Sequence, residues 1–283
     1  RAAAWPRLAA QDVRIANPEG SRDKWFATAG QIVVRMNLGS LFNAEIQVES
    51  INVDSPTIKL RRALDGSGNW NFEPAQNILS SRLLDHVKLD KITLDNGTVQ
   101  LADERRSAYA ELANIDATFS ALNLAGPWRS SGNFDYGAVP LAFTANTGAW
   151  VSDQPLGLGL RVFSRDNSGY SYFLDGSSNA GQFEGTLRLD PTQSADGKSD
   201  TEGQFRPVNY KSKVTGSFEK ISLSEIEIRP AGVADQGMML SGNANFVLGK
   251  QIKATADFSA PRVDFDALAG AGARRLLRDG DGL

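Results

Sequence analysis

Apolar and polar residues alternate in short runs along most of the chain, the period-two signature of strands with one buried face. Runs of this kind cover residues 31–38, 45–53, 57–61, 87–102 and 112–124. They return at 156–164, 182–190, 214–228, 238–248 and 252–258. Turn-forming clusters separate them: Asp54-Ser55-Pro56, Asp95-Asn96-Gly97, Asp166-Asn167-Ser168-Gly169, Asp175-Gly176 and Leu248-Gly249-Lys250. Asn96-Gly97 suits a tight hairpin, because both residues tolerate positive φ. Helical spacing is confined to 75–85, where Ile78, Leu79, Leu83 and Leu84 follow Pro74, and to 266–278, which Gly270 and Gly272 weaken. The pattern predicts a mainly β chain with a few short helices.

A frame recurs within the strands: two apolar residues in alternation, a polar pair, then two more apolar residues. It reads Ile46-Val48-Ile51-Val53, Val87-Leu89-Ile92-Leu94 and Ile221-Leu223-Ile226-Ile228, with a weaker version at Leu8-Ala10-Val13-Ile15. The first two copies stand 41 residues apart, and the sequence after each predicts a turn and a short returning strand, Ile58-Leu60 and Val99-Leu101. The polar pairs Glu49-Ser50, Asp90-Lys91 and Ser224-Glu225 carry a phase slip. A strand that keeps one buried face through such a slip needs a β-bulge, which also adds twist and curvature. A series of bulges would bend a long, largely antiparallel sheet into a groove or taco-like half-barrel, spanning 1–268 as one elongated domain with a helical or frayed tail at 269–283. A sandwich whose strands cross between sheets fits the same frame.

Composition narrows the function. The net charge of −3, without a basic block, argues against a nucleic-acid binder. Cysteine is absent and His86 is the single histidine, so thiolate metal sites and the commonest general base are missing. No G-x-S-x-G elbow surrounds a serine, and neither Asp175-Gly176-Ser177-Ser178-Asn179 nor Asp279-Gly280-Asp281 completes a calcium loop. The carboxylates cluster in turn-prone stretches, where Asp bonds its own backbone. A glycan hydrolase would need two of them, such as Asp65 and Asp103, to converge in a cleft. The expectation is a non-enzymatic chain with no cofactor and no metal. Because the pattern is already under way at Arg1, the chain is read as a region of something longer.

One segment is distinctive. Pro56-Thr57-Ile58-Lys59-Leu60 runs as a strand into Asp65-Gly66-Ser67-Gly68-Asn69-Trp70-Asn71-Phe72, where Trp70 and Phe72 share a face at period two. Pro56, Ile58, Leu60, Asp65, Gly66, Asn69, Trp70 and Phe72 match a signature of the bacterial AsmA family, P-x-I-x-L followed by D-G-x-x-N-W-x-F. The stretch 89–103 resembles that family's next hairpin, and 6–20 its lead-in. The resemblance implies a periplasmic module anchored in the inner membrane through a segment outside this chain. It implies a curved β-groove, similar to chorein-like lipid-transfer proteins, and a role in outer-membrane biogenesis. The implied partner is phospholipid or another acyl-chain lipid, with a scaffold for envelope proteins as the alternative. No catalytic residue carries over. Candidate groove-lining residues are Ile46, Val48, Ile58, Leu60, Val87, Leu89, Val99 and Leu101, each of which suits an ordinary core equally well.

Overall fold

The computed structural model describes residues 6–18, 21–37, 46–70, 87–166, 169–192, 207–231 and 240–260. The helix expected at 75–85, the helix at 266–278 and the tail 269–283 lie outside the described residues, as do Phe72 and His86. Among the described residues there is no helix.

Fifteen strands form a mainly antiparallel sheet: β1 (Arg7–Ala16), β2 (Trp25–Asn37), β3 (Ile46–Asp54), β4 (Thr57–Arg62), β5 (Val87–Asp103), β6 (Ala108–Ala121), β7 (Trp128–Tyr136), β8 (Val139–Thr147), β9 (Leu156–Ser164), β10 (Tyr170–Asn179), β11 (Gln182–Pro191), β12 (Val208–Gly216), β13 (Lys220–Pro230), β14 (Leu240–Leu248) and β15 (Ile252–Ser259). They follow chain order across the sheet, except that β4 lies off the path, paired with β2 and β5. The chain divides into two compact units, Arg1–Gly159 with Gly249–Gln251, and Leu160–Leu248 with Ile252–Leu283.

In the first unit, the phase slip of β3 is a bulge. Arg35 faces Ser50 and Met36 faces Val48, so Glu49 is the extra residue on β3. The same happens in the second unit, where Leu223 pairs Ala244 and Ile226 pairs Gly242, leaving two residues of β13 opposite Asn243. Glu225, at that slip, has φ 50°. Asp12, at the slip of the weaker copy in β1, also has φ 50°, although β1 stays in register with β2 there. A left-handed residue at a bulge turns the strand enough to restore its buried face.

Two expected hairpins are corrected. The stretch after Asp54-Ser55-Pro56 does not return: β3 and β4 point the same way, and both run parallel to β5. Likewise Asn96-Gly97 lies inside β5, which continues unbroken to Asp103. The 41-residue spacing explains both. Ile46 pairs Val87, Asp54 pairs Asp95, and Arg62 pairs Asp103, so the two copies lie abreast with a constant offset. Ser55 (φ 48°) and Asn96 (φ 54°) occupy equivalent positions in them. Asn96 is a bulge residue, since Leu94 pairs Ala117 and Gly97 pairs Ile115. Positive φ, taken from sequence as a hairpin signal, serves a bulge here.

In the second unit, Asp175-Gly176 is not a turn either. Both sit in β10, opposite Thr186 and Gly185, and the chain reverses at Ala180-Gly181 (φ 47° and 77°). The single run expected at 214–228 contains the reversal between β12 and β13, where the Ser217 amide donates to the Lys220 carbonyl at 2.8 Å. The turn at Leu248-Gly249-Lys250 is present, with Leu248 facing Ile252.

Candidate functional site

Cross-strand partners lie on the same face of a sheet, so the registers assign the faces. In the first unit one row runs Ala10, Ile32, Val53, Leu94, Ala117, Gly132, Phe143. A second runs Ile15, Ala27, Ile58, Val99, Leu112, Tyr136, Val139. Every member of both rows is apolar, glycine or tyrosine, from β1 through β8. The bulges keep them in phase: β5 steps by three at Leu89–Ile92 and again at Leu94–Gly97, and by two elsewhere. Without those steps, Ile92 and Leu94 would face the side opposite Leu89, Val99 and Leu101.

Within each unit, every extensive contact between described strands is between hydrogen-bonded neighbours, so among the described residues no second strand layer is packed on this face. Ile15, Leu101, Tyr136 and Val139 are exposed, while Ile58, Leu60, Val99 and Leu112 are half-buried. The second unit repeats the arrangement. Tyr172, Leu189, Tyr210, Ile228 and Leu240 form one row, and Gly176, Gly185, Val214, Leu223, Ala244 and Ala256 another.

The eight groove candidates fall as four side-by-side pairs: Ile46 with Val87, Val48 with Leu89, Ile58 with Val99, and Leu60 with Leu101. The side chains of Ile46 and Val87 lie outside what is described. Val48 and Leu89 are 7% and 1% exposed, whereas Leu101 is 43% exposed. The accessible candidates are therefore Ile58, Leu60, Val99 and Leu101, two adjacent rows on one face.

The signature residues do structural work at the end of this face. Pro56 is buried, and its carbonyl accepts the Thr98 amide at 2.7 Å. The Asp65 carboxylate accepts the Ser67 hydroxyl at 2.6 Å and the Ser67 amide at 2.8 Å, which holds its pKa below the usual carboxylate value. Gly66 takes φ 90°. A Cβ on Gly68 would lie 2.4 Å from Trp70 Cε2, so the half-buried indole rests directly on that glycine. Asn69 acts as a substitute strand. β2 covers the outer edge of β4 only at Thr57 and Ile58. Beyond them, the Asn69 side chain accepts the Arg61 amide at 2.8 Å and donates to the Lys59 carbonyl at 2.8 Å and to Asn17 Oδ1 at 2.8 Å.

A charged group lies beside this loop. Continuing the alternation past Leu60 and Leu101 puts Arg62 and Asp103 on the apolar face, and the 41-residue offset makes them partners. They are 7% and 9% exposed. Arg62 Nε donates to the Gly66 carbonyl at 3.2 Å, and Arg62 Nη1 lies 3.8 Å from Asp103 Oδ2. Arg106 Nε approaches the same oxygen at 3.1 Å. On the other face, Arg61 donates to Asp23 at 2.6 Å and to Glu104 at 2.7 Å, and hydrogen bonds first to Glu104, then to Asp23, raise its pKa. Asp65 and Asp103, the pair a hydrolase would require, are thus engaged in a turn and in an ion pair. Arg62 was legible in the sequence as the next in-phase position after Leu60. The group bounds the apolar face at this end with paired charge.

A comparison with curated proteins and another with solved structures found no match. A family model described as the AsmA family matches residues 4–270, which include both units' apolar rows and the signature loop. The chain belongs to the AsmA family.

Proposed function

We propose that the chain is a non-enzymatic, lipid-binding module of the cell envelope. It would stand in the periplasm, held at the inner membrane, and bind or conduct phospholipid toward the outer membrane in support of its biogenesis. The observation that carries this reading is the apolar face of the first unit, in phase across β1 to β8 and without a second strand layer among the described residues. An acyl chain laid against such a face gains on the order of 0.8 kcal/mol per CH₂ removed from water. Van der Waals contact suffices, so no polar pocket is required. Aligned bulges add twist and coil in one sense, and we infer that the apolar side is the concave one, forming a groove.

The test is site-specific photocrosslinking in cells. A photoreactive residue at Val99 or Leu101 should yield adducts containing phospholipid, and one at Gln100, on the opposite face, should not. Adducts from neither face, or equal lipid labelling from both, would overturn the proposal. The strand edges support a second reading, a scaffold for envelope proteins. β15 ends the strand order and is exposed along its whole length, a geometry that permits strand addition by a partner. Protein adducts from β15 positions, with no lipid adducts from Val99, would favour it.

A further inference from the structure

We propose that β15 is a self-pairing edge, which adds antiparallel to β15 of a second copy of this chain about a two-fold axis at Thr255. The inference does not rest on what the apolar face binds, since it uses the edge of the sheet and not its faces. Among the described residues β15 closes the strand order on one side, with all eight of its residues exposed. Its eight pairings with β14 run from Leu248–Ile252 to Ser241–Ser259 without a register shift, and no residue in it has positive φ. β1, at the other end of the strand order, carries the left-handed Asp12 (φ 50°) in mid-strand. A kink of that kind blunts an edge against strand addition. β15 has no such guard.

The neighbouring ladder fixes which backbone groups point outward. The Leu248 amide donates to the Glu219 carbonyl at 2.7 Å, on the side away from β15, so Leu248 and Ile252 form a non-hydrogen-bonded pair. By alternation, the N–H and C=O groups of Ile252, Ala254, Ala256 and Phe258 point out from the edge. The side chains of β15 then fit one partner, the same strand reversed. With Thr255 opposite Thr255 of the second copy, Ala254 meets Ala256, Lys253 meets Asp257 and Ile252 meets Phe258. Each of these three pairs occurs twice by symmetry. The outward-pointing residues pair among themselves, so each free donor finds an acceptor. The threonines and the Lys253–Asp257 pairs fall at non-hydrogen-bonded positions, where side chains come closest. A shift of two residues either way separates Lys253 from Asp257, and a shift of one sets polar side chains on the apolar side. Charge therefore selects the register. The two-fold axis stands perpendicular to the sheet, so both copies present Ile252, Ala254, Ala256 and Phe258 on the same side, the side of Leu248 and Phe246. Ile252 and Phe258, 64% and 48% exposed, would cover each other.

Sedimentation equilibrium of the 283-residue chain, 30.5 kDa as a monomer, tests the edge. At about 0.1 mM the chain should sediment as a dimer. Asp257→Lys should weaken association about tenfold, by setting like charges opposite each other twice, and adding Lys253→Asp should restore it, because the exchanged pair is complementary again. Ala254→Pro should leave a monomer that keeps its circular dichroism, since that N–H faces solvent in a single copy. The chain has no cysteine, so Thr255→Cys isolates the axis. Mild oxidation should link two copies through that residue, whereas Ala256→Cys, which faces Ala254, should stay unlinked. A monomer at about 0.1 mM overturns the proposal, and so does an edge that takes up a different protein in place of a second copy. A dimer that survives Ala254→Pro, or one that the double charge exchange does not restore, overturns it equally.

Discussion

Asn69 offers the sharpest test of how the signature works. Replacement by alanine removes the acceptor of the Arg61 amide and the donors to the Lys59 carbonyl and to Asn17. Asn17 retains its own bond to the Asp23 carbonyl at 2.8 Å and can hydrate on its open side. The two backbone groups are worse placed, because they lie on a half-buried strand edge that β2 does not reach. Each neutral hydrogen bond contributes about 1 kcal/mol net, and an unsatisfied half-buried group costs somewhat more. Asn69→Ala should therefore destabilise the first unit by about 2–3 kcal/mol. For a urea dependence of about 2 kcal/mol per molar, the midpoint falls by about 1–1.5 M. Amide exchange supplies the local signature. The Arg61 amide should lose protection in Asn69→Ala yet keep much of it in Asn69→Asp, which retains the acceptor while setting a carboxylate against the Lys59 carbonyl. A midpoint shift corresponding to less than about 0.5 kcal/mol, or an unchanged Arg61 amide, would refute the substitute-strand account.

Three further outcomes are expected. Asp103→Leu should cost about 3 kcal/mol by removing the buried carboxylate that faces Arg62 and Arg106, and adding Arg62→Met should recover part of that loss, measured as a coupling energy in a double-mutant cycle. Gly97→Ala should destabilise by about 1–3 kcal/mol in thermal melts, since the new Cβ would sit 3.2 Å from Pro56 Cγ and 3.3 Å from Ile115 Cβ. Asp65 should titrate below the ordinary carboxylate range by NMR, and Ser67→Ala should move it back up, because the serine hydroxyl and amide are its main stabilisers. With the folded pKa depressed, whatever stability this carboxylate adds is present above the unfolded value and is lost as pH falls through the folded one; a Ser67→Ala titration identical to wild type would contradict this.

Much of the fold was legible because strand alternation is a short-range signal. The run 156–164 matches β9 residue for residue, and the phase-slipped frame correctly implied bulges at Glu49 and at Ser224-Glu225. Direction was not legible. Ser55-Pro56 and Asn96-Gly97 have the composition of turns, yet a left-handed residue can either reverse a strand or bulge it, and the choice depends on the neighbouring strand. The 41-residue offset held the answer, since equal spacing along two strands is what a parallel register requires. β7 and β8 escaped notice because Ser130, Gly132 and Ala145 on their inward side are small or weakly apolar. In the candidate site, alternation alone puts Ile58, Leu60, Val99 and Leu101 on one face, whereas a cation at the next in-phase position, Arg62, carries no apolar signal and its role becomes legible only through its pairing with Asp103.

The line of left-handed residues through Asp12, Ser55, Asn96 and Asn114 constrains how such a chain can change length. Deleting Glu49 alone would turn Ile46 and Val48 outward and break step with Met36 on one side and Leu89 on the other. Insertions and deletions inside these strands are tolerable only in matched sets across neighbours, while the reversals at Gly137-Ala138 or Ala180-Gly181 can lengthen freely. Descendants of this sequence should thus vary in their loops and keep the counting of their strands.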